Sequence, residues 1–150
     1  MATRSVIFRE KQNNILVGKY IHWDGYPSHV GRILNEHYDT DRKVQLLFSH
    51  PNYISSLGET MFDTKWGNEE MGWNKPIKIL DIFEAAVESW VEWIYLYKGG
   101  QWYGTNIYLK NPHVMRSIPQ LINMTEDDWD NDAISGQIED LKQGLNETER

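Results

Sequence analysis

The chain has 150 residues, 15 Lys and Arg against 22 Asp and Glu for a net charge of −7, no cysteine, and 7 Trp, 8 Tyr and 4 Phe. That length predicts one domain, burying roughly 70% of the unfolded chain's surface, and the missing cysteines exclude disulfides, thiolate zinc sites and cysteine nucleophiles. The acidic balance argues against direct nucleic-acid binding and against an anionic membrane, because phosphate contact needs clustered Lys and Arg.

Residues 5–8 and 15–23 read as strands joined by a polar turn at 11–14. In the second strand Ile15, Val17, Lys19, Ile21 and Trp23 share the face better suited to the core. Asp24-Gly-Tyr-Pro27 stops the strand, with Gly25 expected to supply a positive φ. Ser28 is expected to cap a helix running to Tyr38, with Val30, Ile33, Leu34 and His37 at i, i+3, i+4 and i+7. Gly31 weakens this helix by about 1 kcal/mol relative to Ala and marks a place for close approach. Thr40 caps a shorter helix with Asp41 in its first turn and Val44, Leu46, Leu47 and Phe48 as its apolar part, ended by Pro51. Residues 52–74 read as a loop in which Trp66 and Trp73 need an apolar home or a ligand.

A third helix is expected over 81–90, where Ile82, Phe83, Ala86, Val87 and Trp90 form one stripe. Trp93 to Tyr97, the Gly99-Gly100 pair and Trp102 to Tyr108 then form a hairpin on a two-residue turn. The expected fold class is α+β: a small antiparallel sheet of about four strands in two hairpins, covered by helices on one face, followed by an acidic helical segment.

The charge is unevenly placed. Residues 125–150 hold nine acids and two bases, so they carry the whole −7, and residues 1–124 are neutral. A compact domain over 1–124 and a tail over 125–150 are therefore expected. Within the tail Ile134, Ile138, Leu141 and Leu145 repeat as a narrow helical seam, suited either to the chain's own domain or to a partner chain. The open edge of the hairpin and this one-stripe seam together predict a homo-oligomer.

Phosphate-loop, dinucleotide-binding, nucleophile-elbow and zincin motifs are all missing, so no catalytic residue, cofactor or metal is assigned and the chain is not expected to be an enzyme. The segment that stands out is His22-Trp-Asp-Gly-Tyr-Pro-Ser-His29. A strand end meeting a helix start leaves first-turn amides free for an anion. Lys19 and Arg32 are near in sequence, and Trp23 and Tyr26 offer flat faces for stacking. His22, Trp23, Asp24, Tyr26, His29, Arg32 and Lys19 are therefore the candidate ligand-binding set, for a nucleotide-like molecule. The same residues also read as a tight structural corner with Trp23 in the core.

Residues 19–38, from Lys19-Tyr-Ile-His-Trp-Asp-Gly-Tyr-Pro to Glu36-His-Tyr38, resemble a group of small phage and prophage proteins without an established activity. They share a strand ending in H-W-D-G-Y-P, a helix close to V-G-x-x-L-x-x-H-Y, and a later I-S-S-L-G, here Ile54 to Gly58. The resemblance extends over about residues 15–105 and transfers no catalytic residues. It implies an accessory phage protein acting in the host cytoplasm. Two functions follow as expectations. One is a counter-defence binding protein that sequesters a nucleotide-derived immune signal. The other is an inhibitor of a host defence protein, acting through the acidic segment by DNA mimicry or by docking Ile134, Ile138, Leu141 and Leu145.

No leader is read in residues 1–9. The most apolar stretch, 90–97, is broken by Glu92 and too short to span a bilayer, so no membrane association is expected.

Overall fold

The computed structural model describes residues 2–11, 15–70, 77–78, 82, 86 and 90–130. In chain order the strands are β1 (Ser5–Glu10), β2 (Ile15–Ile21), β3 (Ile54–Ser56), β4 (Lys65–Trp66), β5 (Ile77–Lys78), β6 (Trp93–Lys98), β7 (Gln101–Asn106) and β8 (Arg116–Ser117). The helices among the described residues are short: α1 (Arg32–His37), α2 (Asp41–Ser49) and α3 (Ile118–Ile122), with a π-helical turn at Pro27–Gly31 leading into α1.

The strands form one mixed sheet in the order β4-β3-β2-β1-β6-β7-β8, with β5 paired to the start of β2. β1 and β2 are antiparallel, Ser5 facing Ile21 and Glu10 facing Leu16. β1 and β6 are parallel, Ser5 beside Trp93 and Arg9 beside Tyr97, and β2 and β3 are parallel as well. The expected small sheet of about four antiparallel strands under helices is therefore wrong: the described residues are mostly β, on a larger mixed sheet with few and short helices among them. The reason is physical. β3, β4, β5 and β8 are two or three residues long, too short to show a period of two, and parallel partners are joined only through long connections.

The hairpin stands as expected. Gly99 and Gly100 both have positive φ, +59° and +82°, the pattern of a type I′ turn whose twist suits the flanking strands. The edge expected to be open is paired along Tyr103 and Gly104 by β8.

Both faces of the sheet are buried. Val6, Ile7 and Phe8 in β1 are all 0% exposed, and alternation sends them to opposite sides. On one side Ile7, Ile21, Tyr95 and Tyr97 pack against Val30, Leu34, Val44, Leu47 and Ile118. On the other Val6, Phe8, Leu16, Tyr20, Ile94 and Leu96 meet Ile82 and Ala86. Ile82 and Ala86 are helical, as expected, but Trp90 leaves that stripe: its φ is +59° and its side chain lies on the surface.

The expected cap of α2 is present, with Thr40 Oγ1 accepting from the Lys43 amide at 3.3 Å. Ser28 does not cap the first helix. That helix opens at Pro27 after an extended Tyr26, with no side-chain cap, and a proline in the first turn has no N–H to satisfy. Beyond α3, the chain stays on the body through Asp130, whose amide donates to the Tyr108 carbonyl. Trp129 sits edge-on to Trp93 at 5.9 Å. The seam residues Ile134, Ile138, Leu141 and Leu145 lie outside the described residues, as do Trp73, Phe83 and Val87. Among the described residues no helix is long and apolar enough to cross a membrane.

Gly104 marks a close helix–sheet contact, since a Cβ there would lie 2.6 Å from Leu121 Cδ1 and 2.9 Å from Tyr95 Cδ1. Gly104→Ala is expected to destabilise the protein by about 1–3 kcal/mol through overpacking, read as a lower urea midpoint with an unchanged slope.

Candidate functional site

The corner begins where β2 ends. The amides of His22 and Trp23 donate to the carbonyls of Ile54 and Ser55, each at 3.0 Å, which ties the corner to β3. Asp24 then takes the left-handed conformation, φ +58°, which Asp tolerates better than most residues. Gly25 therefore plays a different part from the one expected. A Cβ there would lie 2.7 Å from Ser5 Cβ and 2.8 Å from the Thr3 carbonyl, so glycine is required for the close approach to the start of β1. The Gly25 amide donates to Thr3 at 2.8 Å. Its carbonyl accepts from the buried Tyr95 hydroxyl at 2.6 Å. Thr3, Ser5 and Tyr95 thus hold the corner, and the only sequence trace of this is a tyrosine inside an apolar strand.

The first-turn amides of the helix are largely used. His29 N donates to Tyr26 O at 3.1 Å and Val30 N to Asp24 O at 3.3 Å, while Pro27 has no N–H. Tyr26 is buried in the core and its hydroxyl reaches Asp24 at 3.5 Å. Trp23, expected in the core, is 45% exposed. His22 lies edge-on to it at 4.7 Å. Of the two aromatic faces expected, the indole is the accessible one.

Both imidazoles of the corner are held below their ordinary pKa. Burial lowers the pKa of His22, helped by the nearby Arg4 cation. Burial also lowers His29, against the opposing pull of Asp24. The Tyr20 hydroxyl lies 2.8 Å from His22 Nδ1. With Tyr20 as donor, a neutral His22 carries its proton on Nε2 and presents a donor to the surface. Arg32 is turned along its own helix, ion-paired to Glu36 at 3.0 Å. The corner therefore brings together His22, Trp23, Asp24, Tyr26 and His29, and it suits a flat, neutral ring better than a bare phosphate.

Lys19 is directed elsewhere. It is 6% exposed, and its Nζ donates to the carbonyls of His50 and Asn52, the latter at 2.7 Å. The ammonium lies 5.4 Å from the centroid of the Trp66 ring, and His50 stacks on that ring at 3.8 Å with an 8° tilt. Trp66 thus has its apolar home, and Lys19 joins β2 to the loop leading into β3. Among the described residues no three His, Asp or Glu side chains gather as a metal site.

Compared with known proteins, the chain matches no family model, no curated protein and no solved structure.

Burial lowers the Lys19 pKa to about 8, with Glu70 opposing, whereas an unfolded lysine titrates at about 10.4. Between those values the unfolded chain keeps a proton that the folded chain has released, so this group's contribution to stability rises with pH. The neutral amine still has two N–H groups for the two carbonyls. Stability measured by denaturant titration is expected to rise more from about pH 8 to 10 in the wild type than in Lys19→Met.

Proposed function

We propose that this chain is a non-catalytic binding protein of phage counter-defence, which sequesters a nucleotide-derived immune signal in the host cytoplasm. The observation that supports this reading is Trp23, an indole 45% exposed on a corner whose backbone is pinned on both sides. A rigid, exposed indole is a ready platform for a base, and such stacking contributes about 1–3 kcal/mol per base. Neutral His22 and His29 supply hydrogen-bonding groups for base edges or ribose. Sequestration needs affinity and no chemistry, in keeping with a chain that lacks catalytic motifs. The resemblance to phage proteins is densest in the same residues.

Calorimetry of the full-length protein against cyclic dinucleotides and ADP-ribose-type nucleotides tests the reading. At least one is expected to bind, and Trp23→Ala is expected to weaken it about tenfold or more. Silence across the whole panel, from protein shown to be folded, would contradict the proposal.

The acidic segment favours a second reading, an inhibitor directed at a basic surface of a host defence protein. Glu126 and Asp127 are exposed on a turn held to the body, at the head of the stretch that carries the net −7. Such a field speeds association and makes it salt-sensitive. Replacing Glu126, Asp127, Glu139, Asp140, Glu147 and Glu149 by their amides is then expected to abolish inhibition in a phage-defence assay. Under the first reading the same variant keeps its activity.

A further inference from the structure

The carboxyl ends of the parallel strands β1 and β6 lie at the opposite end of the sheet from the Trp23 corner. A cavity of about 260 Å³ opens there, beneath the first turns of α2 and beside the Gly99-Gly100 turn. Its lining includes Arg9, Glu10, Lys11, Asp41, Tyr97 and Lys98. The edge where parallel strands end is where open sheets commonly place ligands.

Arg9 is the group that needs explaining. It stands beside Tyr97 in the parallel register, and alternation puts it on the face of Ile7, under α2. Its Nε is buried and has no hydrogen-bond partner among the described residues. Asp41 accepts from the Tyr97 hydroxyl at 2.6 Å. Glu10 Oε2 lies 3.6 Å from Lys98 Nζ and is itself buried without a hydrogen-bond partner among the described residues, so the cavity holds an unsatisfied acceptor as well as an unsatisfied donor. Burial and the Asp41 carboxylate push the Tyr97 phenol up to about 12, which keeps it a donor. A guanidinium has five N–H donors in a fork that matches an oxyanion; here the Nε–H is buried without a partner while the side chain as a whole is half-buried. Lys11, exposed at the rim, adds a second cation.

We propose that this cavity binds a small phosphorylated sugar or polyol, its phosphate gripped by Arg9 with Lys11 over it, and a hydroxyl donating to Asp41. The volume fits a compact metabolite, being just under the roughly 300 Å³ lower end of ordinary ligand pockets. This site is independent of the Trp23 corner, and neither proposal requires the other.

The test titrates full-length protein with ribose 5-phosphate, and in parallel with ribose and with citrate, by calorimetry and by amide chemical shifts. Ribose 5-phosphate is expected to bind and to move the amides of Arg9, Lys11 and Gly99, while ribose gives neither effect. Arg9→Gln is expected to weaken binding about tenfold or more and to abolish the rise in melting temperature that ribose 5-phosphate gives the wild type. Three results would overturn the proposal: no binding of ribose 5-phosphate, unchanged affinity in Arg9→Gln, or citrate binding as tightly as the phosphate.

Discussion

The parallel pairing of β1 with β6 fixes most of what else the chain can do. It joins the amino-terminal strands to the aromatic hairpin and sets which β6 side chains face the helices. In that register Tyr95 reaches the Gly25 carbonyl and Tyr97 reaches Asp41. A slip of one residue would send both rings to the other face, releasing the corner at one end of the sheet and α2 at the other. Because β1 is buried on both sides, the register is strongly specified by packing as well as by hydrogen bonds.

The aromatic surplus finds much of its use in this scheme. Tyr and Trp combine a large apolar body with one polar tip, so they fill the core and still satisfy a backbone group. Trp102 Nε1 donates to the Tyr38 carbonyl at 2.8 Å, and the Tyr38 hydroxyl donates to Gly58 at 3.1 Å. With Tyr95 and Tyr97, these side chains fasten the helices and the 58–64 turn to the sheet. The abundance of rings is thus mainly structural, and Trp23 differs from these by standing outside the core.

What the sequence made legible was local. Thr40 with Asp41 behind it announces α2, and two adjacent glycines between aromatic runs announce the hairpin, because each signal is complete within a few residues. Sheet order is not local: nothing in the run from Ser5 to Phe8 says that its neighbour lies more than eighty residues away. The corner was legible as a unit but not in detail. Its left-handed residue is Asp24 rather than Gly25, because Gly25 is spent on contact with Ser5 and Thr3. Trp23 looked like a core residue through alternation alone, and alternation stops meaning anything where the strand ends at Ile21. Lys19 looked like a cation near a ligand site, and its actual place, between two carbonyls and an indole, depends on a loop thirty residues downstream.

The two ends of the sheet path are its shortest pieces, with two residues in β4 and two in β8. A strand so short offers little backbone for another chain to copy. Phe62, just ahead of β4 and 97% exposed on a turn held by Thr60 and Thr64, stands beside one of these short ends. Placing the longer strands inside the path and the two-residue strands at its ends limits the backbone that those ends offer to another chain.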